Sequence, residues 1–169
     1  MATETPARLS LRTIDTSRPA APAVFAFGAL ICTAYVLGAV ALAGEAAVHI
    51  QQYESLLHGV PGLGPLFLLN AAVSIAAIAG LAFPPTRRLA ALVGVATSAV
   101  ALAALVVSYG RGFFGWFETG FRTPVEVAVI SELSAVIFLS VALTATLLER
   151  SVDVAAPARV GASPAEAGG

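Results

Sequence analysis

Three polar residues at the end of the first apolar stretch of this 169-residue chain are spaced so that they could act together. Glu45, His49 and Gln52 fall at positions i, i+4 and i+7, which places them on one face if the segment is a continuous helix. A carboxylate and an imidazole at this spacing can share a proton or supply two ligands to a divalent metal. The alternative is a solvated helix end. Without an HExxH pattern or a second histidine cluster, the spacing does not by itself predict a metal site.

A second group of candidates involves acids inside or beside the last apolar stretch. Glu132 lies about eight residues below the outer end of that stretch, or ~12 Å along a helix. A carboxylate at this depth in lipid should face other helices, carry a proton or have a partner, and Asn70 is the expected hydrogen-bond donor. Glu126 lies nearer the end, where Ser108 or Tyr109 could reach it. Glu132, Asn70 and Glu126 therefore form a candidate intramembrane polar site, or a structural bond between helices.

These side chains lead to one hypothesis about chemistry. Glu132 and Asn70, with Glu45 and His49, would line an outward-opening polar cavity for a proton, a cation or a quinone-like head group. No nucleophile with an adjacent base and no cofactor motif accompanies them, so an enzymatic function has the least support. The one cysteine, Cys32, cannot form a disulfide within the chain.

Four apolar stretches must position these residues, over about 23–44, 65–83, 89–109 and 125–148. Each is close to the ~20 residues that cross a bilayer as a helix. Hydrophobic residues make up 58% of the chain and charged residues only 11%, which excludes an ordinary soluble domain. Lipid favours helices, and short connections favour antiparallel neighbours. The sequence predicts an all-α integral membrane bundle of four antiparallel transmembrane helices over 22–149, with disordered tails at 1–21 and 150–169.

Small residues at four-residue spacing predict where the helices approach each other. One such stripe lies on the second stretch and another on the third: Ala72, Ala76 and Gly80, then Ala90, Gly94 and Ser98. Replacing Ala76 or Gly94 with leucine should therefore destabilise the bundle by overpacking.

The basic residues predict the orientation. The chain has no lysine, and seven of its nine arginines fall on one side of the predicted membrane, the side that holds both termini. The positive-inside rule makes that side cytoplasmic. Exclusive use of arginine and frequent alanine suggest a GC-rich bacterial coding sequence, hence a bacterial inner membrane. A cleaved signal ending near Ala41-Leu42-Ala43 is the alternative for the first stretch. A net charge of -1 without a basic run excludes nucleic acid as a partner.

The last long connection is rich in aromatic residues separated by glycines. Five aromatic side chains occupy it: Phe113, Phe114, Trp116, Phe117 and Phe121. Their position predicts an aromatic belt at the outer head groups, or else a docking surface for a membrane partner. Glu118 and Arg122 are at i, i+4 and could pair if this connection is helical.

The segment Gly80–Leu92, with the sequence GLAFPPTRRLAAL, resembles the corresponding part of DoxX-like four-helix bacterial membrane proteins. That resemblance implies a small membrane subunit associated with respiratory or redox-stress complexes. It transfers no site residues.

The expected function is that of a subunit or accessory factor of a membrane complex, or of a homo-oligomer, embedded in the lipid bilayer. One alternative is a carrier of protons, cations or small solutes that uses Glu132. Another is a redox or metal-dependent membrane enzyme. The sequence does not identify a cofactor.

Overall fold

The computed structural model describes residues 21–155, with side chains over 25–151. Four long helices make up most of it: α1 (Ala21–Gln52), α2 (Leu63–Ala82), α3 (Arg87–Gly110) and α4 (Thr123–Ala155). A π-helical turn, Tyr53–Leu57, continues α1. Over 21–155 there is no β-strand, only one isolated bridge in the loop after α3. The all-helical prediction is confirmed for this part of the chain.

Each helix contains a segment long and apolar enough to cross a membrane. These segments are Phe25–Leu57, Leu63–Ala82, Arg87–Gly110 and Thr123–Ser151. The four stretches were therefore located correctly, but the first and last helices run well past the predicted ends at residues 44 and 148. The predicted tails at 1–21 and 150–169 lie mostly outside the described residues. Where the second one is described, α4 continues through it to Ala155.

The helices pack in the order in which they follow each other along the chain. α1 lies against α2 and α4, and α3 lies against the same two neighbours, whereas α1 and α3 meet across the centre over a much smaller contact. Each helix therefore has two close neighbours, and the centre is lined by all four. This arrangement lets side chains from different helices meet at one level.

The connection between α2 and α3 is the tightest in the structure. Pro84 and Pro85 cannot donate a backbone hydrogen bond, so α2 ends immediately before them. Thr86 Oγ1 then donates to the carbonyl oxygen of Gly80 at 2.8 Å. Arg87 Nε donates to the carbonyl oxygen of Leu81 at 2.9 Å. These bonds satisfy carbonyls at the end of α2 and hold the start of α3 against it.

The half of the bundle nearest this turn has a compact apolar core, here called the packed half. Its buried residues come from all four helices: Ala34, Tyr35, Ala41, Leu42, Ala77, Leu81, Ala90, Ala91, Ala135, Leu139 and Ala142. A Cβ added at Gly94 would lie 2.7 Å from Leu139 Cδ1 and 3.1 Å from Leu42 Cδ1. The helices therefore approach closely because glycine and alanine leave no side chain between them.

The predicted stripe of small residues is right on α3 and only partly right on α2. At Gly80 of α2, an added Cβ would lie 2.8 Å from Ala90 Cβ, so this position does approach α3. Ala90, Gly94 and Ser98 are all buried, as expected. Ala72 and Ala76 are exposed on the outside of α2. The buried face of α2 carries a different set: Leu63, Gly64, Ala71, Ser74, Ala77 and Leu81. An alanine-rich helix offers several such stripes, and lipid-facing and buried positions are equally apolar, so composition alone could not choose between them.

Candidate functional site

The predicted face of α1 exists and is buried. Glu45, His49 and Gln52 are 0%, 5% and 7% exposed, and α1 is continuous through all three. A solvated helix end is therefore the wrong interpretation of their spacing. The helix continues beyond the predicted boundary, and the other helices cover its polar face.

The two candidate sites lie at the same level of the bundle. His49 precedes the end of the helical run at Leu57 by eight residues, and Glu132 follows the start of α4 at Thr123 by nine. At 1.5 Å per residue, both are ~12–14 Å from these ends. His49 Nε2 and Glu132 Oε1 are 3.7 Å apart. What the sequence presented as two sites is one site between α1 and α4.

The hydrogen bonding of His49 defines what its ring can offer. Nδ1 lies 2.9 Å from the carbonyl oxygen of Glu45. Because a carbonyl can only accept, Nδ1 must donate, and in the neutral ring Nε2 is then an acceptor. The ring also packs on Phe67 of α2, with centroids 4.7 Å apart. His49 is thus held from two sides and presents Nε2 toward Glu132.

Glu45 is a second buried acid, placed deeper than His49. Its Oε2 accepts a hydrogen bond of 2.6 Å from Ser98 Oγ on α3, and Oε1 has no partner. Asn70 and Ser74 of α2 lie beside the same carboxyl group. The hydrogen bond from Ser98 joins α1 to α3 through the bundle centre.

The expected bond between Asn70 and Glu132 is absent from the described hydrogen bonds. Asn70 Oδ1 accepts from Ser74 Oγ within α2, at 3.4 Å. Glu132 is 2% exposed, faces His49, and its Oε2 has no hydrogen-bond partner. The depth of Asn70 and Glu132 along their helices was estimated correctly. Their partners depend also on the direction in which each side chain leaves its helix, and depth does not predict that direction.

Glu126 lies outside the site. Its side chain is exposed on α4. Neither of its expected partners is bonded to it: Ser108 Oγ donates to the carbonyl oxygen of Ala104, and the Tyr109 ring stacks on Phe121 with centroids 5.6 Å apart. The buried polar site therefore consists of Glu132 with His49, and Asn70 on its wall.

A cavity of about 440 Å³ adjoins these groups. His49, Gln52, Asn70 and Glu132 lie on its wall, which is otherwise mainly apolar. Most of the lining comes from facing sides of α2 and α3: Leu66, Phe67, Leu69, Val73, Ala96, Thr97, Val100, Ala101, Ala104 and Leu105. The volume lies in the range of small-molecule pockets. This end of the molecule is called the cavity half below.

The loop after α3 covers the end of this cavity. Phe113 and Trp116 exchange backbone hydrogen bonds of 2.8 and 2.9 Å, and both line the cavity. The turn needs positive φ at Gly112 and Gly115, a region that glycine occupies without steric cost. The remaining aromatics, Phe114, Phe117 and Phe121, are exposed. Three of the five aromatics are therefore exposed, as a belt would require, and the other two turn inward.

The ion pair predicted in this loop is present, although the loop is not helical. Arg122 Nη2 and Nε donate to Glu118 Oε2 and Oε1 at 2.9 and 3.3 Å. The Glu118 side chain is only 8% exposed and lines the cavity, whereas that of Arg122 is 44% exposed. The pair therefore places one more carboxylate at the cavity, with its counter-ion on the outside.

Sequence reasoning missed much of the cavity wall. Phe67 resembled any other apolar residue of its helix, and Trp116 resembled its neighbours in the aromatic loop. Glu118 was interpreted only as half of a surface pair. Glu118 and Trp116 are two residues apart in the sequence, and this proximity could have indicated that both belong to one site. No local pattern, however, predicts that the loop folds back over the cavity.

Among the side chains described over 25–151, no group of three or more His, Cys, Asp or Glu residues has an arrangement that could hold a metal ion. Comparison of the chain with protein families, curated proteins and solved structures gives no match. The chemistry of the site must therefore be argued from its own residues.

Proposed function

We propose that this chain is a four-span protein of a bacterial inner membrane that binds a small amphipathic molecule drawn from the lipid phase. The ligand's apolar body would occupy the cavity, and its polar group would lie between His49 and Glu132. The observation that carries this proposal is an unpartnered buried carboxylate oxygen, Glu132 Oε2, on the wall of a mainly apolar cavity.

The gap between His49 and Glu132 supports a ligand at this point. At 3.7 Å, Nε2 and Oε1 are too far apart for a hydrogen bond of ordinary length. Both groups nevertheless line the cavity. Buried polar atoms are normally satisfied, and an unsatisfied one destabilises the fold. A polar group placed between the two residues would satisfy both.

The position of the cavity supports access from lipid. Two residues of its wall, Leu69 on α2 and Val100 on α3, are 58% and 68% exposed on the surface of the bundle. The wall between α2 and α3 is therefore shared with the surface that would face acyl chains. A ligand dissolved in the membrane could enter by this route without crossing water.

Contacts at the opposite end support an antiparallel arrangement with cytoplasmic termini. Tyr35, early in α1, lies 5.6 Å from the guanidinium of Arg87 at the start of α3, and its hydroxyl is 3.2 Å from Thr146 Oγ1 late in α4. This juxtaposition fits an up-down-up-down bundle. Arg87 and Arg88 would then lie on the same side as both termini, as the positive-inside rule requires.

The ligand's identity can be sought directly. The protein would be extracted in mild detergent and analysed by native mass spectrometry, together with its organic-solvent extract. We expect one amphipathic species bound to the wild type and to Glu126→Gln, and its loss from Glu132→Gln. Glu126 is the matched control because it lies on the same helix but is exposed. Equal ligand content in all three proteins would contradict the proposal.

The cellular role that fits best is a ligand-binding subunit or accessory factor of a membrane complex. The cavity is small, and the described residues leave little mass outside the predicted spans, so a partner would have to use the bound molecule. The resemblance to DoxX-like proteins agrees with this role. Co-purification of a larger complex in the same mild detergent would support it, and a bare monomer carrying ligand would restrict the proposal to binding.

A carrier is the second candidate, favoured by the presence of two buried acids. Glu45 and Glu132 are both almost fully buried inside segments that can span a membrane. Intramembrane acids of this kind commonly mark ion or proton pathways. In proteoliposomes a carrier would show flux of its solute that Glu132→Gln abolishes and Glu126→Gln leaves unchanged.

A further inference from the structure

The cavity wall carries more acidic than basic side chains. It contains two carboxyl groups, Glu118 and Glu132, and one imidazole, His49. A third buried carboxyl group, that of Glu45, is not part of the wall and accepts a hydrogen bond from Ser98 of α3. Among the residues that the structure describes, no arginine lines the cavity, and the sequence contains no lysine.

Only one of the two acids on the wall has a permanent counter-ion. Glu118 is paired with Arg122 through two hydrogen bonds, so its charge is largely balanced. Glu132 faces only His49, whose Nδ1 is already bonded to a carbonyl and whose Nε2 stands at 3.7 Å. A buried carboxylate without a partner is strongly unfavourable, and more so between membrane-spanning helices. Glu132 therefore requires a counter-charge from a proton, from His49 or from a bound cation.

The remainder of the wall suits the apolar part of such a cation. The rings of Phe67, Phe113 and Trp116 line the same cavity as Glu132. Aromatic faces attract organic cations, and this attraction increases when the site is desolvated. The surrounding leucine, valine and alanine side chains offer nothing that would hold a hydrated metal ion. They favour a cation whose charge carries apolar substituents.

We propose that the cavity binds hydrophobic organic cations, of the tertiary amine, quaternary ammonium or phosphonium class, with Glu132 as their counter-ion. This inference rests on the proposed function and specifies the charge of its ligand. An anionic amphiphile would place its charge beside Glu132, and no arginine lines the wall to compensate it. A neutral amphiphile would leave the charge of Glu132 to be balanced by a proton or by His49.

Two probes of nearly equal size and opposite charge, tetraphenylphosphonium and tetraphenylborate, test the charge preference. Trp116 is the chain's one tryptophan and lies in the cavity wall, so its fluorescence reports binding directly. We expect saturable change with tetraphenylphosphonium on the full-length wild-type protein in neutral detergent. With tetraphenylborate we expect only the linear change caused by partition into micelles. Saturable binding of the anion with equal or higher affinity, or no saturable binding of the cation, would overturn the inference.

Variants on α4 test the counter-ion. Glu132→Gln should weaken tetraphenylphosphonium binding at least about ten-fold, because it removes one member of a desolvated charge pair. Glu126→Gln, exposed on the same helix, should bind like the wild type. Helix content from circular dichroism would verify that both variants fold. Wild-type affinity in a folded Glu132→Gln would overturn the assignment, and if this variant does not fold, the probe pair on the wild type decides alone.

The two proposals fail in distinguishable ways. If a neutral or anionic amphiphile co-purifies and depends on Glu132 while tetraphenylphosphonium does not bind, the cavity is a ligand site and only the cation preference is wrong. If no amphiphile co-purifies and neither probe binds saturably, both proposals are wrong.

Discussion

The two halves of this bundle use the same four helices in opposite ways. In the packed half, Leu42 and Leu139 are fully buried, and glycines at positions 38 and 94 leave no space for a Cβ beside Leu139. In the cavity half, the same helices carry His49 and Glu132 on the wall of about 440 Å³ of open volume. Small residues let the helices approach closely at one end, whereas open volume and buried polar groups occupy the other.

The connections reinforce this difference. The packed half ends in the four-residue turn 83–86, which is fixed by two prolines and by hydrogen bonds of Thr86 and Arg87. The cavity half ends in the longer segments 53–62 and 111–122. The first of these includes a π-helical turn, a feature that often occurs near functional sites. The comparison indicates that one half supplies stability and the other supplies the site.

The largest expected effect compares a leucine of each half. Leu139→Ala should lower the free energy of unfolding by about 2–5 kcal/mol, because it opens a cavity between closely packed helices. Leu66→Ala, at a residue that already lines the cavity and is 38% exposed, should cost less than about 1 kcal/mol. Unfolding of both variants by SDS titration in mixed micelles measures the difference. Equal losses would show that the two halves do not differ in packing.

The next prediction concerns helix approach in the packed half. Gly94→Leu should destabilise the protein by about 1–3 kcal/mol, because its Cβ alone would lie 2.7 Å from Leu139 Cδ1. Gly28→Leu is the matched control, since Gly28 is also helical and has no atom within 4 Å of an added Cβ. Both variants gain the same helix propensity, so the difference between their thermal midpoints in detergent isolates overpacking. A Gly94→Leu midpoint at or above that of Gly28→Leu would contradict the close approach.

The sequence predicts where the four helices lie, but it does not predict which face of each helix is buried. Hydropathy located all four helices because a span needs a long apolar run, which few other structures produce. The end of α1 was missed because Glu45 and His49 were interpreted as leaving the membrane. Ionisable residues are rare within apolar spans and usually mark their ends, but here neighbouring helices bury them. The same limitation explains the two wrong positions on α2, Ala72 and Ala76, since exposed Ala76 and buried Ala77 are chemically identical.

For the site, the sequence identified the buried polar residues but not which of them contact each other. The burial of Glu132 and the shared face of Glu45 and His49 follow from depth and periodicity, and both are present in the structure. The pairing of His49 with Glu132, and of Glu45 with Ser98, depends on how each helix is rotated about its axis. Rotation is set by packing among residues of similar hydropathy. Residue spacing along a single chain therefore contains little information about it.

The smallest expected effect concerns the polar bond in the bundle centre. Ser98→Ala removes the 2.6 Å hydrogen bond to Glu45 Oε2 and leaves that carboxyl group without a described hydrogen-bond partner. Hydrogen bonds between membrane helices contribute about 0.6 kcal/mol on average and up to about 1.7 kcal/mol, so we expect a loss in this range.

A double-mutant cycle of Ser98→Ala with Glu45→Gln separates this bond from general effects of each substitution. Ser108→Ala is the control, because Ser108 Oγ bonds only within its own helix, to Ala104. A coupling energy between Ser98 and Glu45 that exceeds the loss in Ser108→Ala would place a stabilising interaction in the cavity half as well. Both halves would then contribute to stability, and the packed half would only contribute more. A coupling energy near zero would contradict the prediction, because it would mean that the bond between Ser98 and Glu45 does not stabilise the bundle.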